Sequence, residues 1–132
     1  MKGSCLCGVV TYEVDRLDMP IGHCHCRTCQ KAHAAAFATT AGVERPHFRW
    51  TSGEDGLSCY ASSPGKRRWF CSACGTHLMA ERTGQPHVIL RVATLDEDPG
   101  ERPVQHIWRS HDLPWLTFDD SQPSYDEWPP GR

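Results

Sequence analysis

Eight cysteines in 132 residues, seven of them gathered into three tight groups, constrain this chain more than any other feature. The first group is Cys5 and Cys7, followed by Gly8. The second is Cys24, Cys26 and Cys29, and the third is Cys71 and Cys74, followed by Gly75; Cys59 stands alone. The opening residues MKGSCLCGVV lack the charged and apolar regions of an export signal, so the cytoplasm is the expected address. In that reducing compartment disulfides are rare. The pairs also sit too close together to cross-link distant segments, which argues against a disulfide scaffold. Metal binding is the reading that remains.

Cys71-x-x-Cys74-Gly75 has the form of a zinc knuckle, in which glycine permits the backbone to turn both sulfurs inward. Such a knuckle supplies two thiolates, and a structural tetrahedral site takes four. Cys5 and Cys7 are the natural mates. Along a straight strand their side chains would stand about 6.5–7 Å apart. Two sulfurs on one zinc lie only about 3.7–3.8 Å apart. The chain must therefore bend at Leu6–Gly8. Joining the two pairs closes a long loop and couples metal binding to folding.

The middle group has an odd count. Three thiolates plus a vacant position is the arrangement of a catalytic zinc. Cys29 falls in the first turn of an expected helix, where the dipole favours a thiolate. A fourth protein ligand would instead close the site; His23, His25, His33 and Cys59 are the candidates, with His33 the strongest rival and His25 expected to point away. Three thiolates leave a net charge of −1 at Zn²⁺, so bound water is acidified less than on a three-histidine site. A soft thiol still suits the open position. Thiol or thiol-adduct chemistry is thus more natural here than hydrolysis.

The rest of the chain reads as one domain, 1–132, of mostly β character: short antiparallel strands with one short helix, stabilised by zinc. Strands are expected at Gly3–Val14, Met19–His25, Ala38–Thr40, Phe48–Thr51, Leu57–Ala61, Arg67–Cys71, His77–Glu81, His87–Val92 and Gln105–Trp108. Glycine and proline punctuate them. Arg27–Ala36 is rich in helix formers and predicts two or three turns. The proline-bearing segment 110–132 is expected to wrap the body as an arm, with Trp115, Phe118, Tyr125 and Trp128 plugged in. The five tryptophans read as anchors rather than stacking platforms. Thr39 and Thr40 are placed to line a pocket behind the second metal. Net charge is −2, and no apolar run approaches a membrane span, so neither nucleic acid nor membrane is an expected partner. The basic run Lys66–Arg68 lacks the interleaved aromatics of a nucleic-acid face.

GSCLCGVVTYEV, HCHCRTCQKAHAAAFAT, RRWFCSACGTHL and HIW followed by PW, in that order, resemble the glutathione-dependent formaldehyde-activating enzyme family, which includes centromere protein V. The resemblance runs from Gly3 to about Trp128. It implies a mostly-β zinc fold shared with a Rab-binding accessory protein. It implies a structural zinc on Cys5, Cys7, Cys71 and Cys74, and a second zinc, treated as catalytic, on Cys24, Cys26 and Cys29. The implied activity condenses formaldehyde with glutathione to S-hydroxymethylglutathione, a carbon–sulfur lyase reaction in reverse. Arg68, where the family often carries arginine, can meet a glutathione carboxylate or sit in a structural salt bridge. One departure is QKAHAAA after Cys29, where many members carry glycine near Ala34–Ala35; it bears on the pocket wall. Two other functions compete: a non-catalytic binding module with two structural zincs, and a redox or metal-buffering protein.

Overall fold

A computed structural model describes residues 1–118 and 121–131. Among them are ten strands and one α-helix: β1 Lys2–Ser4, β2 Thr11–Val14, β3 Gly22–Cys24, α1 Arg27–His33, β4 Ala38–Glu44, β5 Phe48–Ser52, β6 Leu57–Ser63, β7 Lys66–Cys71, β8 His77–Arg82, β9 His87–Arg91 and β10 Gln105–Ile107. Three strands form a small sheet in the order β1-β2-β5, and seven form a larger one in the order β10-β3-β4-β9-β8-β7-β6. The mostly-β expectation therefore holds. Burial alternates along β2, where Tyr12 and Val14 point inward and Thr11 and Glu13 do not, as a strand with one covered face requires. Val10, Tyr12 and Val14 from the small sheet meet Val43, Leu78, Val88 and Leu90 from the large one in a shared core. The buried Tyr12 hydroxyl is satisfied by Thr94 Oγ1 at 2.7 Å.

Several boundaries differ from the sequence reading, each for a local reason. The expected strand Gly3–Val14 is two strands, because the chain turns back between Cys5 and Val10: Cys5 N–H reaches Val10 O at 3.0 Å and Gly8 N–H reaches Cys5 O at 3.0 Å. The expected strand Met19–His25 shortens to β3, since Pro20 offers no N–H to a ladder. Helix α1 stops at His33 rather than Ala36, where Ala34 takes a left-handed φ of 49° and its N–H returns to Gln30 O. β4 runs on to Glu44 because Ala41 to Val43 fill the core.

One strand breaks the antiparallel pattern. β10 lies parallel to β3, with Gln105 beside Gly22 and Ile107 beside Cys24. The chain thus returns late to cover the edge next to the middle cysteine group. Beyond it, Trp115, Phe118, Tyr125 and Trp128 are each more than half exposed, so these rings are not plugged into the body as expected. Pro114, Pro123, Pro129 and Pro130 withhold the N–H groups a docked strand would use. Phe118 does touch His106, with ring centroids 5.5 Å apart, and carries the Arg109 guanidinium 5.3 Å above its ring. Trp50 and Trp69 pack against the core, whereas Trp108 is exposed. No helix among the described residues is long and apolar enough to cross a membrane.

Candidate metal centres and the cleft beside them

The turn after β1 and the turn after β7 bring four sulfurs together: Cys5, Cys7, Cys71 and Cys74 all lie within 4.8 Å of one another. Cys5 and Cys7 Sγ are 3.6 Å apart, and Cys7 and Cys71 Sγ 3.8 Å. These spacings match those of two thiolates on one tetrahedral zinc, about 3.7–3.8 Å. All eight cysteines are free thiols. Gly8 at φ 80° and Gly75 at φ 79° supply the backbone conformation that turns each pair inward. Gly75 N–H closes the knuckle on Cys71 O at 2.8 Å, and Val10 N–H donates to Cys5 Sγ at 3.3 Å. The Thr76 hydroxyl and N–H draw the Cys74 thiol down to about 5. The donor set is complete, and its chemistry fits a structural zinc.

The middle centre stands on β3 and α1. Cys24 ends β3, Cys26 caps the helix by accepting Cys29 N–H at 3.4 Å, and Cys29 follows in the first turn. Cys24 and Cys29 Sγ are 3.7 Å apart, again the zinc spacing. Among the described residues the group of mutually close ligand atoms stops at these three. His33 faces His77 instead, with centroids 4.9 Å apart, and Cys59 is exposed on β6. His25 points away from the sulfurs, as expected. Its fully buried ring joins Asp112 Oδ1 at 2.7 Å through Nδ1 and His106 Nδ1 at 2.8 Å through Nε2.

That histidine ties the returning chain to the metal loop. Gln30 Nε2 donates to His25 O at 2.7 Å and His111 O at 2.9 Å, and Arg27 N–H donates to His111 Nδ1 at 3.2 Å. The segment carrying β10 therefore fixes the loop that carries the three sulfurs.

Two guanidiniums lie behind the centre. Arg68 on β7 and Arg91 on β9 are only 2% and 6% exposed. Among the described residues neither has a carboxylate partner, and Arg68 Nη1, Arg91 Nε and Arg91 Nη2 have no hydrogen-bond partner. Burying unpaired charge costs several kcal/mol unless something compensates it. The compensating charge is the thiolate cluster. The Cys29 thiol is drawn down to about 5, first by its contact with the Cys24 sulfur, with Cys26, Arg91 and Arg68 adding to the effect. Burial lowers Arg91 to about 10, an effect the sulfurs oppose. A three-thiolate zinc carries the net negative charge that this pair of arginines answers, so the donor set fits such an ion.

Arg68 also faces outward into a cavity of about 300 Å³ that reaches Cys26. Lys66, Arg82, Ser62, Trp108 and His111 complete most of its wall, and among the described residues no carboxylate lines it. Arg68 Nε donates to Ser62 Oγ at 3.0 Å. Among the described residues Arg68 is thus not in a structural salt bridge, one of the two roles expected of it. Arg67, alternating to the other face of β7, belongs to a separate cavity around the Arg45–Glu81 ion pair, which contains no sulfur. The Thr39 hydroxyl bonds His23 Nδ1 at 2.9 Å, and Thr39 is not among the described residues lining the cleft beside Cys26. Arg91, His111 and Asp112 were missed by sequence reading. For Arg91 there was a signal, a charge ending the otherwise apolar run HVILR; for Asp112 there was none.

Two cysteine-only centres on a mostly-β, two-sheet frame define a class of small proteins equipped to hold zinc through thiolates. Within that class, this chain belongs to the glutathione-dependent formaldehyde-activating enzyme family, whose model matches residues 1–111. A crystal structure of a Rhodobacter sphaeroides protein is similar, with 29% identity, 80% of this chain and 99% of that chain covered, and a TM-score of 0.66. A search of curated proteins returns no match.

Proposed function

We propose that this protein catalyses reversible carbon–sulfur bond formation between a small acidic thiol and an aldehyde, with glutathione and formaldehyde, the family's pair, as the reference reactants. The observation that carries this reading is a three-sulfur centre with no fourth protein ligand atom among the described residues, opening through Cys26 onto a cationic cleft without carboxylates. Cys24, Cys26 and Cys29 would hold a zinc, which when bound supplies a soft Lewis acid for sulfur. Cys5, Cys7, Cys71 and Cys74 would hold a second, structural one.

The chain's own residues do the rest. Arg68 lines the cleft and would supply the cation for a substrate carboxylate, where water competes less than at an open surface. Lys66 and Arg82 add charge for a second carboxylate, and glutathione carries two. Thr39 acts at one remove, by fixing the His23 ring. In the addition, a bond forms between the thiol sulfur and the aldehyde carbon, the carbonyl π bond breaks, and the thiol proton moves to the new hydroxyl. His111 lines the cleft, and with Nδ1 accepting from Arg27 N–H a neutral ring carries its proton on Nε2, where it would donate a hydrogen bond to the adduct oxygen.

The test is exchange spectroscopy of glutathione and formaldehyde with zinc-loaded protein. Exchange faster than the uncatalysed reaction, lost in Cys26→Ser, supports the reading. A rate equal to background, with no glutathione binding, overturns it.

A further inference from the structure

Beside the cationic cleft lies a second chamber of different character. It measures about 330 Å³, and Tyr60, Phe70, Ala32 and the ring of His77 form its walls, with Lys31 at the helix side. Phe70 and His77 stack with centroids 5.3 Å apart, so two of those walls are one packed aromatic pair. The chamber shares Thr28, Ser62 and Arg68 with the cleft that reaches Cys26. No carboxylate lines it either. One buried arginine thus stands between a charged compartment at the sulfurs and an apolar one beyond them.

A formaldehyde-derived hydroxymethyl group is about the size of one or two waters, each roughly 30 Å³. It would leave this chamber unfilled. Apolar walls around empty volume gain nothing from so small and polar a group. A chain of several methylenes or an aryl ring would cover Tyr60 and Phe70 and displace water from them.

Resting on the function proposed above, we propose that the chamber takes the carbon substituent of the thiol adduct, so that the preferred aldehyde is larger than formaldehyde and carries an apolar alkyl or aryl group. The thiol's carboxylates stay on the Arg68, Lys66 and Arg82 side, its sulfur near Cys26, and the aldehyde-derived chain crosses Thr28 onto Tyr60 and Phe70. The chemistry is the same balanced addition: the sulfur–carbon bond forms, the carbonyl π bond opens, and the thiol proton ends on the adduct oxygen. No oxidant or reductant takes part.

Stable S-alkylglutathiones report on the chamber without turnover. Calorimetric titration of zinc-loaded protein with the S-methyl, S-propyl, S-butyl and S-hexyl thioethers should show affinity rising roughly fourfold per methylene until the chamber is filled. Tyr60→Ala should flatten that gradient, and Ala32→Trp, which fills the chamber, should abolish it. In turnover, butanal should surpass formaldehyde in kcat/KM. Equal affinity across the series, or a gradient that survives in a folded Ala32→Trp protein, overturns the chamber while leaving the reaction standing. A gradient without any acceleration of thiol addition keeps the chamber and overturns the reaction. Failure of glutathione and every thioether to bind overturns both.

Discussion

Replacing Cys71 by Ser should unfold this protein, whereas replacing Cys26 by Ser should leave it folded. The contrast follows from loop length. Cys7 and Cys71 Sγ are 3.8 Å apart across 64 positions of sequence. A cross-link closing a loop of that size removes about 4 kcal/mol of chain entropy from the unfolded state. A domain of this size has only about 5–15 kcal/mol to lose. The metal's own affinity for a preformed four-thiolate site adds to the loss. Cys24 and Cys29 are separated by only 5 positions. The tenfold shorter loop makes the same constraint worth about 2 kcal/mol less. β10 and the His25–Asp112 contact hold that region independently. Guanidinium titration of both variants, with zinc quantified in each folded fraction, measures the difference. Equal midpoints for the two variants would refute the division of labour between the centres, as would a Cys71→Ser protein that keeps two zincs and the parent midpoint.

Arg68→Met should weaken glutathione binding by roughly ten- to hundredfold, as loss of a charge-assisted contact does, and raise KM more than it lowers kcat. Its thermal midpoint should fall, because the buried thiolate cluster loses one of the two guanidiniums that answer its charge. Burial, helped by the Arg91 charge, holds the His33 imidazole down to about 3, against an ordinary value near 6.5. Between those values the unfolded chain binds a proton that the folded one refuses, so stability should fall as pH drops below about 6.5. His33→Gln should flatten that limb in denaturation midpoints taken at fixed free zinc, and parallel curves for the two proteins would contradict it. Leu90→Ala, at a fully buried position of β9, should cost about 2–5 kcal/mol by chemical denaturation without changing zinc content.

What the sequence made legible was local chemistry. Cysteine spacing identified both sulfur groups, because ligand geometry restricts where two thiolates can sit in a chain. The bend at Leu6–Gly8 followed from the same arithmetic. Partial alternation pointed to β2, and the Cys-x-x-Cys-Gly turn found the knuckle. Long-range placement was not legible. Nothing in QHI says that it lies parallel beside GHC more than eighty positions earlier. Nothing local distinguishes Arg68, buried and without a carboxylate, from Arg67, exposed on the other side of the same strand. Asp112 reaches His25 only because the fold brings the two together. The aromatics after residue 110 misled for a related reason: ring size implied burial, while the body had already closed its core with two sheets.

The parallel seating of β10 on β3 has a consequence for how the molecule is born. A ribosome adds about 5–20 residues each second, so Cys5 and Cys7 emerge roughly three to thirteen seconds before Cys71 can join them. The stretch around Ile107, which shelters Cys24 through Cys29, emerges several seconds later still. Until its partners emerge, each centre's earlier thiols stand unprotected on a nascent chain, open to oxidants and to the wrong ion. The supply of reduced zinc-buffering thiols during translation should therefore govern the yield of correctly metallated protein more than the stability of the finished fold does.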